Sequence, residues 1–382
     1  MSKLEELIQQ YCPDGVEWKT LGEATLMKRG TSATKGVMQE GNIPVISGGR
    51  QPAFYCNQSN RTGETITVAG SGAGAGYVQY WNEPIFVCDA FSVQGNKDLN
   101  TKFIYYNMAS MQDKIYATKK GGGVPHVHIS SIDKFEIPIP PLPVQEEIVR
   151  ILDAFAELQA ELQAELQKRL QQYNYYRDNL LSFEGRTDVE WKKLGEVANV
   201  YDGTHQTPSY KDSGIPFISV ENIGDIYSSR KYISKEDFDK YKIKPQVGDV
   251  FMTRIGSIGV CAVFDKQAEI AYYVSLALIR PNQEYVLPRY LKHIIESLTG
   301  CKELRKRTLV NAVPIKVNKD DIGKIVLPFP SLSEQQRIVD VLDRFDTLTT
   351  DLTAGLPAEI EKRRQQYEYY RDKLLTFKKK EA

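Results

Sequence analysis

The chain has 382 residues, 41% hydrophobic and 26% charged, which is the composition of a globular protein with room for two or three domains. No stretch approaches the roughly 18 consecutive apolar residues of a membrane span, and the acidic, amphipathic N-terminal segment lacks the features of a signal peptide, so we expect a cytoplasmic protein. The net charge is zero, and the five cysteines and four histidines form no Cys-x-x-Cys pair or Cys/His cluster, so we expect neither a disulfide framework nor a metal site.

The first half of the chain reads as a short helix, a globular domain and a long helix. Ser2, followed by Glu5 three residues later, predicts a capped helix within residues 1–17. Short runs rich in Val, Ile, Thr, Tyr and Phe predict a mixed sheet with short helices over residues 18–143. Apolar residues spaced three and four apart then predict a helix over residues 144–184, with a length of about 60 Å.

The second half repeats this order. A second domain of mixed sheet plus short helices is predicted over residues 185–331, and a second long helix with a basic tail over 332–382, interrupted at Gly355-Leu-Pro357. Each long helix carries an apolar stripe that requires a partner, and the simplest partner is the other long helix. The predicted fold is therefore mixed α/β, with two similar domains separated by two long antiparallel helices that form a coiled-coil spacer.

Internal duplication is the strongest signal in the sequence. The matching segments are Trp18-Lys-Thr-Leu-Gly-Glu23 with Trp191-Lys-Lys-Leu-Gly-Glu196, Gln145-Glu-Glu-Ile-Val-Arg-Ile-Leu-Asp153 with Gln335-Gln-Arg-Ile-Val-Asp-Val-Leu-Asp343, and Gln171-Gln-Tyr-Asn-Tyr-Tyr-Arg-Asp178 with Gln365-Gln-Tyr-Glu-Tyr-Tyr-Arg-Asp372. The domain interiors, roughly residues 50–135 and 222–318, hardly match. Two like scaffolds thus carry two unlike surfaces, as a protein that reads two different half-sites would require.

One further repeat lies inside the first long helix. Residues 156–167 are three tandem copies of the tetrapeptide Ala-Glu-Leu-Gln, and the second long helix lacks them. This segment is typical of a stable, charged helix with a leucine stripe. A tandem repeat also suggests a length that changes by whole units.

The order of these motifs resembles the specificity subunit of type I restriction–modification systems. The resemblance rests on Tyr11-Cys-Pro-Asp-Gly-Val-Glu-Trp-Lys-x-Leu-Gly-Glu23, the Ile-Pro-x-Ile-Ser strand, Gly248-Asp-Val, the proline-rich exits and the Gln-x-x-Ile-Val-x-x-Leu-Asp helix starts, and it covers essentially the whole chain twice. It implies two target-recognition domains, each reading one half of a split double-stranded DNA site. It also implies long helices that dock two methyltransferase subunits, with room for a motor-nuclease subunit, and tandem tetrapeptides that set half-site spacing.

The sequence favours a chain without its own catalytic chemistry. The glycine-rich run Thr67–Gly76 is not followed by a helix pattern, so a tight strand connection explains it better than a cofactor loop. The amino-methyltransferase tetrapeptide Asp/Asn-Pro-Pro-aromatic and the Walker phosphate loop are both missing from the sequence. The resemblance places S-adenosylmethionine on the methyltransferase subunits and no cofactor on this chain. The alternatives are a methyltransferase or nuclease with a disguised active site, and a structural adaptor without a DNA role.

Candidate DNA contacts are polar and basic residues at equivalent turns of the two domains, where they suit phosphate and base-edge contacts. The residues are Lys28, Arg29, Thr31, Lys119, Lys120, His126, His128, Thr204, His205, Gln206, Arg254, Arg305, Lys306, Arg307, Asn311 and Lys316. Candidate partner-binding residues lie on the apolar and aromatic stripes of the long helices. These are Ile148, Leu152, Leu158, Leu162, Leu166, Tyr173, Tyr176, Ile338, Leu342, Tyr367 and Tyr370.

Overall fold

A computed structural model describes residues 2–350 and 355–381. Residues 351–354 and 382, which belong to the predicted second spacer helix and tail, lie outside the described residues. The chain divides into two compact units, one made of Met1–Gln163 with Ile360–Ala382 and the other of Ala164–Glu359. We call them unit 1 and unit 2. Each predicted spacer helix therefore contributes to both units.

Unit 1 contains one four-stranded sheet, one three-stranded sheet and a two-stranded ribbon. Its elements are α1 (Lys3–Tyr11), β1 (Glu17–Thr20), α2 (Leu21–Ala24), β2 (Thr25–Arg29), β3 (Ile43–Ile46), β4 (Phe54–Cys56), β5 (Thr65–Ala69), β6 (Val78–Trp81), β7 (Phe86–Val87), β8 (Ala90–Gly95), α3 (Thr101–Ser110), α4 (Gln112–Ala117), α5 (Ile129–Ile132), β9 (Glu136–Ile139) and the start of α6 (Leu142–Leu180). The strand orders are β2-β8-β5-β6, β4-β3-β7 and β1-β9. Every residue of β5 is buried, as expected for an inner strand covered on both faces.

Unit 2 repeats this arrangement. Its elements are β10 (Glu190–Lys193), α7 (Leu194–Val197), β11 (Ala198–Asp202), β12 (Ile215–Ile218), a 3₁₀ turn (Val220–Asn222), β13 (Tyr232–Ile233), α8 (Lys235–Asp239), β14 (Val250–Thr253), β15 (Cys261–Val263), β16 (Ala271–Tyr272), β17 (Leu276–Pro281), α9 (Pro288–Glu296), α10 (Leu298–Arg305), α11 (Lys319–Ile322), β18 (Val326–Phe329) and α12 (Leu332–Thr350). The strand orders β11-β17-β14-β15, β13-β12-β16 and β10-β18 match those of unit 1. A last helix, α13 (Leu356–Leu374), begins at the predicted interruption and belongs mostly to unit 1.

The repeated sequence motifs fix the start of each long helix. The buried Gln145 side chain accepts the Asn100 backbone N–H at 2.9 Å and donates to the Pro140 carbonyl at 2.7 Å. Its counterpart Gln335 accepts the Leu287 N–H at 2.9 Å and donates to the Pro330 carbonyl at 2.9 Å. Because buried polar backbone groups need partners, this glutamine ties α6 or α12 to the preceding domain.

An aspartate two turns further along makes the second tie. Asp153 accepts hydrogen bonds from Tyr106 at 2.5 Å and Lys102 at 2.8 Å, both on α3. Asp343 accepts from Arg289 and from the buried His293 of α9, each at 2.8 Å. Burial opposes ionisation of Asp343, but the hydrogen bonds from His293 and Arg289 outweigh it and hold its pKa below the usual range. The predicted fold class, two similar mixed α/β domains with long helices, is confirmed.

Candidate DNA interface

In unit 1, two segments of the chain bring predicted DNA contacts to one concave surface. Arg29 at the end of β2, together with His126 and His128 before α5, lines a cleft of about 270 Å³ that also includes Asp89. The two histidine rings are parallel, with centroids 6.1 Å apart. Lys28 in β2 and the nearby Thr31 and Lys120 are exposed, whereas the Nζ atom of Lys119 lies 4.1 Å from the ring centroid of Tyr116.

The Gly-Thr pair repeated in both domains marks a close approach of two backbones. A Cβ on Gly30 would lie 2.1 Å from the Cys88 carbonyl oxygen, and a Cβ on Gly203 would lie 2.4 Å from that of Tyr273. Only glycine fits such a contact. The sequence repeat at this turn therefore reflects packing, and it sets Thr31 and Thr204 at equivalent places in the two units.

A short loop is anchored in the same way in both units. In unit 1, the Lys120 N–H donates to the His126 carbonyl at 2.9 Å, and the Gly72 N–H donates to the Pro125 carbonyl at 3.0 Å. In unit 2, the Leu309 N–H donates to the Lys316 carbonyl at 2.8 Å, and the Gly256 N–H donates to the Ile315 carbonyl at 2.9 Å. The loop tips differ, because unit 1 has Gly-Gly-Gly-Val at 121–124 and unit 2 has Val-Asn-Ala-Val at 310–313.

In unit 2, the predicted turn of Thr204 to Gln206 lines a cleft of about 630 Å³. Thr204 and Gln206 line it, and the Thr204 hydroxyl accepts the Gln206 backbone N–H at 3.2 Å. His205 is exposed, with its Nε2 atom 3.8 Å from an oxygen of Asp202. Hydroxyl, amide and imidazole groups on this turn are donors and acceptors suited to base edges or phosphate.

The structure corrects the predicted place of Arg254. Its side chain is 6% exposed and donates to the Asp202 carboxylate and, at 3.0 Å, to the Val317 carbonyl. Arg254 therefore lies below the surface, where it supports the loop that begins after α10. A buried arginine of this kind is satisfied by its internal partners, so its side chain is not available at the protein surface.

The basic residues after α10 have different surroundings. Arg307 donates to the Glu303 carboxylate at 2.8 Å, and Lys306 donates to it at 2.5 Å. Burial opposes ionisation of Glu303, but the Lys306 side chain and the Val326 backbone N–H outweigh it and lower the pKa of this carboxyl. Arg305, Asn311 and Lys316 are exposed. Contact of these residues with DNA stays a prediction.

The predicted partner-binding residues separate into buried and accessible groups. The side chains of Ile148, Leu152, Ile338 and Leu342 are 0% exposed and that of Tyr173 is 6% exposed. They form the cores that join the helices to their own units, which corrects their assignment to a partner surface. The half-buried or exposed side chains are Leu158, Leu162, Leu166, Tyr176, Tyr367 and Tyr370.

Two exposed tyrosines extend the accessible group. Tyr175 is 66% exposed and meets Tyr176 edge-on at 5.5 Å, and Tyr176 stacks on Phe345 in unit 2. In unit 1, Tyr369 is 63% exposed and meets Tyr370 edge-on at 5.3 Å, and Tyr370 stacks on Phe155. The repeated Tyr-x-Tyr-Tyr motif is the sequence signal for these two aromatic patches.

Residues 2–350 and 355–381 contain neither a cluster of metal-ligating side chains nor a helix that could span a membrane. No group of three or more His, Cys, Asp or Glu side chains in that part of the chain is placed to hold a metal ion. Within the same residues, none of the helices combines the length and the apolar character that a bilayer crossing needs.

Comparison with known proteins gives a consistent result. The sequence matches the type I restriction modification DNA specificity domain family twice, over residues 13–172 and 187–362. It is 33% identical to a type I restriction enzyme specificity subunit of Escherichia coli, over 100% of this chain and 98% of that protein. It is also 33% identical to a putative type I restriction enzyme specificity subunit of Haemophilus influenzae, over 95% of this chain and 96% of that protein.

Two solved structures share the fold. A type I restriction–modification S subunit from M. genitalium aligns with a TM-score of 0.62 and 18% identity, over 94% of this chain and 95% of that chain. A chain from a study of complex assembly and conformational transition of a type I R-M system aligns with a TM-score of 0.56 and 19% identity, over 95% of this chain and 98% of that chain.

Proposed function

The chain belongs to the family of type I restriction–modification specificity subunits, and from this we propose that it is the non-catalytic subunit that gives such a complex its DNA sequence specificity. Each unit reads one half of a bipartite, asymmetric site in double-stranded DNA. The observation that carries this proposal is that one loop scaffold, closed by equivalent backbone hydrogen bonds, presents a glycine-rich tip in unit 1 and an apolar tip with an asparagine in unit 2.

The distribution of charged side chains indicates that the domains, and not the long helices, bind DNA. Residues 18–140 carry 12 basic and 9 acidic side chains, and residues 191–330 carry 21 and 16. The helical segments 144–184 and 331–377 carry 4 basic against 8 acidic and 7 against 9. Because phosphate contacts supply much of the affinity for DNA, the mildly basic domains are the better DNA surfaces. A DNA ligand also agrees with a cytoplasmic location.

The acidic helices are better suited to protein partners. The patches around Tyr175 and Tyr369 are equivalent, and exposed aromatic side chains are frequent energetic centres of protein interfaces. Two equivalent patches suit two copies of one partner, so methyltransferase subunits dock there. S-adenosylmethionine is bound by those subunits, and this chain holds no cofactor. A motor-nuclease subunit joins the same complex when cleavage is required.

Reconstitution tests this assignment. The purified chain should transfer no methyl group from S-adenosylmethionine to DNA by itself, and it should confer methylation once its methyltransferase subunits are added. The Tyr175→Ala/Tyr369→Ala variant should lose complex assembly, because each aromatic patch loses its most exposed side chain. Tyr55→Ala/Tyr285→Ala is the matched control, since those tyrosines are 54% and 52% exposed and lie outside the patches. Methyl transfer by the isolated chain would refute the non-catalytic role.

A further inference from the structure

The loop that follows α10 in unit 2 carries an exposed apolar tip. We define the tip as residues 309–315. Val313 is 100% exposed, Val310 is 69% exposed, and Leu309 and Ile315 are 44% and 40% exposed. Single exposed apolar residues are ordinary on protein surfaces, but a cluster of them indicates a contact surface.

Backbone hydrogen bonds hold the tip in place. Besides the bonds at Leu309 and Ile315, the Ala312 N–H donates to the Leu309 carbonyl at 3.2 Å, and the Val317 N–H donates to the Arg254 carbonyl at 3.0 Å. The buried side chain of Arg254 braces the same point. The exposed valines are therefore presented by an ordered loop, which reduces the entropy lost when they bind.

The positive charge around the tip indicates that the molecule in contact with the tip is DNA. Residues 302–319 contain six basic side chains and one acidic side chain, and that acid, Glu303, is already paired with Lys306 and Arg307. Arg305 and Lys316, on either side of the tip, are exposed. An apolar tip flanked by cations fits a duplex, in which apolar groups lie in the groove between two rows of phosphates.

The residue types at the tip indicate which base pair it reads. An asparagine side chain pairs with the N6 and N7 atoms of adenine in the major groove, and an apolar side chain contacts the thymine methyl group of the same base pair. Asn311 lies in sequence between Val310 and Val313. Given the proposed DNA-reading function, we propose that this tip reads an A·T base pair in the half-site of unit 2, with Asn311 on adenine and a valine on the thymine methyl.

The tip of unit 1 cannot make this set of contacts. Its residues 121–123 are all glycine, and Val124 is the only side chain on residues 121–124 beyond hydrogen. The proposed contact therefore belongs to one half-site only, which gives the experiment an internal control.

Replacing thymine by deoxyuridine tests the inference, because it removes only the methyl group. The binding assay uses the chain assembled with its methyltransferase subunits on its own recognition site. Deoxyuridine at one position in the unit 2 half-site should weaken binding about fourfold, which corresponds to the free energy of burying one methyl group. The Val310→Ser/Val313→Ser variant should bind normal DNA less tightly and should no longer respond to that substitution. Asn311→Ala should relax the preference for A·T at the same position by about tenfold or more.

Val247→Ser is the matched control, because Val247 is an exposed valine of unit 2 outside the tip, and it should keep the full response to deoxyuridine. If no thymine in this half-site responds, or if the tip variant responds like the unaltered chain, the inference is wrong while sequence-specific binding still supports the proposed function. If the tip variant instead fails to assemble with the methyltransferase subunits, the tip is a protein contact and the inference is equally wrong. Loss of specific binding by the unaltered complex would contradict the proposed function itself.

Discussion

Arg305 and Arg307 stand two residues apart but have different surroundings. Arg305 is exposed, whereas Arg307 is half-buried and donates to the Glu303 carboxylate. A cation that neutralises a phosphate releases about one counterion, so its loss lowers the salt dependence of binding. An arginine paired inside the protein has less charge to offer DNA.

We expect Arg305→Ala to weaken DNA binding across all sequences and to reduce the slope of log affinity against log salt by about one. Arg307→Ala should change that slope less, because its main effect is to remove a partner from Glu303. Titrations of DNA at several salt concentrations measure both variants. Equal slopes for Arg305→Ala and the unaltered chain would remove Arg305 from the phosphate contacts.

Glu147 should make the stability of the fold depend on pH. Its side chain is 3% exposed and accepts hydrogen bonds from Arg150 and Lys3, at 2.7 and 2.9 Å, which lower its pKa to about 2 despite burial. The unfolded value is about 4.3. Because the folded pKa is lower, Glu147 stabilises the fold above about pH 4.3, and this contribution is lost as pH falls towards 2.

Glu147→Gln should therefore lower the free energy of unfolding at pH 7 and flatten its dependence on pH between about 5 and 2.5. Urea unfolding at a series of pH values measures this effect. The matched control is Glu146→Gln, because Glu146 is an exposed neighbour on the same helix. If the two variants have the same pH profile, the ion pairs of Glu147 do not contribute to stability.

At the scale of elements, the tandem tetrapeptide lies outside both hydrophobic cores. Residues 156–167 fall within the continuous helix α6, and the division between the two units falls between Gln163 and Ala164. From Asp153 to Gln172, all of which the structure describes, no side chain is buried. A change of length in this segment removes no buried side chain, so we expect that whole tetrapeptides can be added or removed without loss of either domain.

Adding one Ala-Glu-Leu-Gln after Gln167 should lengthen the spacer of the DNA site by one base pair. Four residues extend a helix by about 6 Å and rotate the C-terminal remainder of that helix by about 40°, and one base pair in a turn of about 10–10.5 rotates by roughly 35°. Deleting one copy should shorten the spacer by one base pair. Methylome sequencing of hosts with each variant reads the spacer, and methylation at an unchanged spacer would show that the repeats are ordinary helix.

The elements and most turns were predictable because local signals specify them. The capping Glu5 and the interruption at Gly355-Leu-Pro357 act through their immediate neighbours. The burial of Arg254 was not predictable, because its partner Asp202 is 52 residues away in sequence. Helical periodicity identifies the apolar stripe of each long helix. It does not show which part of that stripe packs against a domain core, because this depends on contacts between residues that are distant in sequence.

At the scale of the whole molecule, the sequence did not predict which segments of the long helices belong to each unit. The end of α6, with Tyr173, joins the core of unit 2, and the end of α13, with Leu375 just beyond it, joins the core of unit 1. The two copies of the Tyr-x-Tyr-Tyr-Arg-Asp motif are nearly identical, so either copy suits either domain on local grounds. Only the folded chain shows that each unit combines its domain with parts of two helices.

Domain exchange combined with methylome sequencing tests the central claim, that the two units read separate halves of one DNA site. Residues 18–143 are replaced by the corresponding domain of a relative with a different target, and the DNA of the host is sequenced for methylation. We predict a bipartite motif for the unaltered chain and, for the exchanged chain, a motif in which one half-site is new while the other is retained. A change of both halves together, or a single uninterrupted motif, would contradict the account.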